Sequence, residues 1–178
     1  MNLAPASELE GFDLFLAFHL NKLLERFKMM KPEDRDWSPN VAAPSARIIV
    51  EHTWQWLLCD RQHIMNPYVA SHSDVAEAPA SDDAFCEAFS LEIKEWRDML
   101  ASMDPKLLDE PRLQFGLEKN ACNIRYFLGH TLQNVTYKSG QLSLLFFALG
   151  YDGPEQYSAP FPNEIYTHVR QSSGTTIT

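Results

Sequence analysis

The stretch LGHTLQNVTYKSGQLSLLFFALGYDG, from Leu128 to Gly153, decides the fold. With Ile124 before it, the residues Leu128, Thr131, Val135, Leu142, Leu145 and Leu149 fall in alternating steps of four and three, position 138 completing the series. That spacing is a helix face packed against other helices. The residue at 138 is a lysine, and His130 and Asn134 precede it on the same side of the helix. A packed face that lines up His, Asn and Lys marks a site or the remains of one.

Three earlier segments show the same periodicity. Ser7 and Glu10 form a capping box, and Phe12, Leu16, Leu20, Leu23, Phe27 and Met30 follow, predicting a first helix over 8–30 that stops before Pro32. Ser45, Ile49, His52, Trp56, Cys59 and His63 predict a second over 44–65, closed by Asn66-Pro67, with His52 pointing inward. Ser81, Asp82 and Asp83 offer caps for a third over 82–103, with Phe85, Phe89, Ile93, Trp96, Leu100 and Met103 buried and Asp104-Pro105 ending it. On that helix Glu87, Glu92, Glu95 and Asp98 alternate with Lys94 and Arg97, the pattern of a solvated outer face. The fourth helix is placed at 115–149, stopping at Gly150.

The connection 31–45, KPEDRDWSPNVAAPS, is proline-rich, and Trp37 is the side chain expected to anchor it. The tail 151–178 has no period and is read as irregular. No segment reads as a strand, and no linker or repeat divides the chain. The length of 178 residues suits one domain over 1–178. The expected architecture is all-α, an up-down four-helix bundle with an irregular C-terminal tail.

A net charge of -9 without a basic patch argues against nucleic acid or an anionic membrane as partner. Cys59, Cys86 and Cys122 are odd in number and widely spaced, with no CxxC, which suits buried inert thiols in a reducing compartment. The opening MNLAPASELEGFD lacks the basic start of a secretory signal, and LSLLFFALG is too short to span a bilayer. The expectation is a cytoplasmic protein.

Common catalytic signatures are missing: no GxGxxG or phosphate loop, no HExxH and no GxSxG. What remains is a constellation across helices, His52 with His130, Asn134 and Lys138. Facing helices of a bundle build metal sites from such positions. Yet a neutral asparagine is a poor zinc or nickel ligand, and an ammonium has no lone pair to give.

On two features the chain resembles the DinB-like (DinB/YfiT) superfamily of four-helix bundles. One is ARIIVEHTWQW, where that family places a mid-helix histidine at the position of His52. The other is NVTYKSGQLSLLFFALGYDG, which is similar to the family's His-x-x-x-His, a residue, Gly-Gln, an apolar run and Leu-Gly. The likeness covers residues 8–155, and Gly140-Gln141 with the Leu-Gly ending is its most specific part. The resemblance implies a three-histidine metal site, at which this chain keeps His52 and holds Asn134 and Lys138 in the other two places. No cofactor is therefore expected, with a divalent metal (Zn or Ni) as the alternative, including a shifted pair of His52 with His130. Glu51 and Glu118 are the candidate carboxylate partners of Lys138.

The first functional reading is a small-ligand-binding bundle using a remodelled pocket of His52, Asn134 and Lys138, with His130, Gln141 and Trp56 nearby. Whether the chain is an enzyme is left open. The alternatives are a metal-dependent thiol S-transferase, isomerase or hydrolase, and a structural or interaction module with a vestigial pocket. Aromatic content and the habit of the resembled family imply a homodimer.

Overall fold

A computed structural model describes residues 5, 7–67, 76–114 and 117–152. Four long helices carry the core: α1 (Glu8–Met29), α3 (Ala46–Met65), α4 (Asp82–Ser102) and α5 (Ile124–Ala148), with a single turn, α2 (Pro32–Arg35), after α1. Ser7 and Ser81 cap their helices as expected and Ser45 does so too: they accept from the backbone N–H groups of Glu10, Ala84 and Ile48 at 3.1, 3.2 and 3.3 Å. Each offers its hydroxyl oxygen to an N–H that the first helical turn leaves unpaired.

The all-α four-helix bundle is as the sequence implies, and its connections follow a particular course. Glu8 meets Arg125 at the start of α1 and α5, and Arg26 reaches Ser143 near the end of both, so these helices run parallel. Asp13 pairs with Arg97, and Phe27 packs on Phe85, so α4 runs against α1. His63 meets Phe127, and Asp60 meets Thr131, so α3 runs against α5. The four helices thus go up, down, down and up. α1 packs chiefly on α5 and α4, and α5 on α1 and α3, so the third helix in sequence does not simply return beside the second.

Phe27, Phe85, Phe89, Trp96 and Phe146 are fully buried at the centre. Phe85 meets both Phe27 and Phe89 edge to face with ring centres 5.9 Å apart, the arrangement favoured by aromatic quadrupoles. The Trp96 indole N–H would be costly to bury unpaired, and it donates to the Leu57 carbonyl at 3.1 Å, tying α4 to α3.

Several expectations are corrected. The fourth helix does not begin near residue 115. The chain there forms two antiparallel strands, β1 (Pro111–Gln114) and β2 (Leu117–Asn123), with Pro111 opposite Asn123. Arg112 Nε donates to the Ile64 carbonyl at 2.8 Å and so fastens β1 to the end of α3. Asn123 caps α5 by accepting from Tyr126 N–H at 2.9 Å. Tertiary pairing and that cap override the helical propensity of the preceding residues.

Trp37 is 38% exposed and does not anchor the first connection. Arg35 does: its guanidinium is nearly buried, donates to the carbonyls of Phe27, Met30 and Lys28, and pairs with Asp82 at the start of α4. Arg47 meets the same carboxylate at 2.6 Å. On α4, Glu92 belongs to the interior, 3% exposed, and receives two 2.7 Å bonds from Arg61 of α3.

Tyr151 is held, its hydroxyl accepting from Lys31 N–H at 2.8 Å and donating to Asp34. The rest of the expected tail, 153–178, lies outside the described residues. Cys59 and Cys86 are buried and Cys122 partly so, all three free, and burial raises the pKa of each thiol. No described helix is long and apolar enough to cross a membrane.

Candidate functional site

Where α3 and α5 run side by side they leave a cleft of about 270 Å³ lined by His52, Thr53, Trp56, Leu57 and Asp60 on one side and His130, Thr131, Asn134, Val135, Tyr137 and Lys138 on the other. Five of the six residues singled out from the sequence therefore border one space. The sixth, Gln141, lies one turn further along α5 and donates to the Tyr137 hydroxyl at 3.1 Å. A broader groove of about 600 Å³ lies beside Arg35 and Asp82, but those two groups already satisfy each other. The α3–α5 cleft is smaller, more apolar and holds the unsatisfied chemistry.

His52 does not point inward as the spacing implied; it is exposed at the rim. The buried residues of α3 include Ile49, Thr53, Leu57, Asp60 and Ile64; of the expected series Ser45, Ile49, Cys59 and His63 are buried as well, and only His52 and Trp56 give way to their neighbours. The series 49-53-57-60-64 is equally regular, and it leaves the His52 imidazole at the rim. On α5 the expected face is buried at Ile124, Leu128, Thr131, Val135, Leu142 and Leu145; at its middle Ser139 is buried and Lys138 stays half-buried, because an ammonium is costly to desolvate fully.

The His52 ring is held by its own helix. Trp56 Nε1 donates to His52 Nε2 at 2.5 Å, which leaves the proton of the neutral ring on Nδ1. Partial burial, and then the charge of Lys138, hold the His52 pKa below its ordinary value. The Trp56 indole also meets His130 edge to face, ring centres 6.4 Å apart. His130 stacks on Tyr126, and Asn134 Nδ2 lies 3.2 Å from His130 Nε2. Burial alone lowers the pKa of Lys138, and no described carboxylate pairs with it. Glu51 turns to Arg47 at 3.9 Å, and the Glu118 side chain lies outside the described residues.

The group that sequence reasoning missed is Asp60, 1% exposed on the inner wall. Its Oδ2 lies 2.7 Å from Thr131 Oγ1, and its Oδ1 is buried with no hydrogen-bond partner among the described residues. Burial raises its pKa to about 6, although the bond from Thr131 opposes the rise. A signal was present: an acid on the apolar series of α3, where the neighbouring Cys59 was taken for the inward residue.

These donors do not suit the three-ligand metal centre implied by the resemblance. Asn134 is neutral, Lys138 carries an ammonium, and the His52 Nε2 lone pair already accepts from Trp56. Among the described residues, no three of His, Cys, Asp and Glu gather into a possible metal site.

In fold, the chain is similar to YfiT from Bacillus subtilis, described as a probable metal-dependent hydrolase with an unusual four-helix bundle topology. The superposition has a TM-score of 0.61 and covers 84% of this chain and 91% of that one at 10% identity. The fold implied by the sequence resemblance is thus shared with a solved structure. No protein-family model and no curated protein matches the sequence.

Proposed function

We propose that this chain is a small-molecule-binding bundle whose ligand occupies the α3–α5 cleft without a three-histidine metal centre. The observation that carries the reading is that one cleft collects His52, Trp56, Asp60, His130, Asn134 and Lys138. Their polar groups face an otherwise apolar space, the usual composition of a site that orients a small ligand. The engagement of His52 with Trp56 supports a site that works through hydrogen bonds and charge.

The test is elemental analysis of freshly purified protein, followed by ligand screening by thermal shift. The expected outcome is no stoichiometric zinc or nickel, with stabilising compounds that lose their effect in Trp56→Ala. One metal per chain that disappears in His52→Ala would overturn the reading.

That result would favour the second reading, a metal-dependent enzyme, which the description of YfiT as a probable metal-dependent hydrolase supports in its hydrolase form. We also propose a homodimer. Tyr137, Leu144 and Phe147 are exposed on α5 and support it, and light scattering of the purified chain checks it.

A further inference from the structure

At each end of the cleft stands a polar group without a partner among the described residues. At the inner end, Asp60 is almost fully buried and Oδ1 has no hydrogen-bond partner among the described residues. Thr131 cannot fill the gap. Its hydroxyl lies 2.7 Å from Asp60 Oδ2 and 2.9 Å from the Phe127 carbonyl, so one proton already serves two acceptors. At the outer end stands Lys138, half-buried and without a described carboxylate partner.

Leu57 and Val135 supply apolar wall between these ends. Thr131 and Lys138 are seven residues apart on α5, which places them about 10 Å apart along the helix axis.

Resting on the ligand-binding reading above, we propose that the cleft takes a zwitterionic amino-carboxylate, its anionic group at Lys138 and its protonated amine donating to Asp60 Oδ1 across a short apolar spacer. The charges match one for one. A buried carboxylate next to an apolar wall is offset better by a full positive charge than by a neutral hydroxyl. The ammonium, with the polar edges of His52 and Asn134 beside it, selects an anion at the other end. The apolar middle asks for methylenes in place of a polar chain.

Calorimetric titration of the full chain with straight-chain ω-amino carboxylates of graded length, and with alkyl carboxylates and alkyl amines of matching length, tests this. One length of amino carboxylate is expected to bind at least about tenfold more tightly than either single-ended analogue, the advantage of one charge-assisted hydrogen bond. Asp60→Asn should abolish the preference over the alkyl carboxylate. Lys138→Met should abolish the preference over the alkyl amine, each variant leaving the other preference intact. Circular dichroism melts check that both variants fold.

Equal affinity for the alkyl carboxylate and the amino carboxylate, or a preference that survives Asp60→Asn, overturns the proposal. So does the absence of binding by every probe. In that case, thermal-shift ligands of another class that fail with Trp56→Ala would leave the cleft reading standing. If no class of compound binds, that reading falls as well.

Discussion

Replacing Asp60 by Asn should stabilise the protein, and by an amount that grows with pH. Folding raises the carboxyl pKa from 3.8 to about 6 because the group is buried, one oxygen having no partner among the described residues. At about 1.4 kcal/mol per tenfold change in proton affinity, ionised Asp60 is about 3 kcal/mol less favourable in the fold than the neutral acid. The folded state holds the proton more tightly, so stability is lost as pH rises from the unfolded value through the folded one. The cost is under about 1 kcal/mol near pH 4 and nearly complete near pH 7.

The geometry agrees. A protonated Asp60 can donate to Thr131 Oγ1 while Thr131 donates to the Phe127 carbonyl, which satisfies both short contacts. An asparagine amide can do the same at any pH. Urea unfolding of both proteins across this range should show the advantage of Asp60→Asn growing by about 2 kcal/mol between roughly pH 4 and pH 7. His63 and Cys59, the titratable groups close by on α3, are common to both proteins and drop out of the difference. An advantage that stays flat or shrinks with pH would refute the account of a buried, raised carboxyl.

Other outcomes follow from charges the bundle has buried. Glu92→Ala should cost about 2–3 kcal/mol by leaving the Arg61 guanidinium without its bidentate partner, a figure reduced because Arg61 keeps some contact with water; converting both residues to Met should recover most of it, as read from urea midpoints. Arg35→Ala should cost about 2–4 kcal/mol, since it removes donors from three carbonyls and from Asp82. Trp37→Ala should stay within about 1 kcal/mol, so a reversed order in thermal melts would restore the tryptophan as anchor. Arg26 is 3% exposed, lies over the rings of Phe146 and Phe147 and carries one nitrogen unpaired among the described residues. Arg26→Met should therefore be neutral or stabilising in the same assay, and a loss above about 2 kcal/mol would show a net favourable guanidinium.

The helices were legible because their signals are local. Ser7, Ser45 and Ser81 sit where an acceptor is needed, and apolar residues at steps of three and four mark one face. The hairpin 111–123 was not legible, because it depends on Arg112 reaching the distant Ile64 carbonyl and on a cross-strand partner. Glu92 was misread, and Arg35 passed over in favour of Trp37, for the same reason. A charged residue looks solvent-facing in sequence until its partner, here Arg61 or Asp82, is known to lie across the interface.

The sequence pointed to the two helices that line the cleft; its phase on α5 holds except at position 138, and its phase on α3 is one residue off through the middle of the helix. A periodicity of three and four tolerates two adjacent series, 49-52-56-59-63 and 49-53-57-60-64, and hydrophobicity alone separates them weakly. Desolvation decides. The second series buries Thr53 and Leu57, leaves His52 on the rim, and admits one acid that Thr131 partly satisfies. The same choice on α5 buries Ser139 and holds Lys138 at the edge. Both placements leave the His52 imidazole and the Lys138 ammonium in contact with water, where they cost less than fully desolvated. They also bring the polar groups to the walls of an open cleft, where a ligand can complete their hydrogen bonds. On the ligand-binding reading proposed above, the His, Asn and Lys first seen along 128–153 form the rim of the cleft, and Asp60, on the facing helix, its floor.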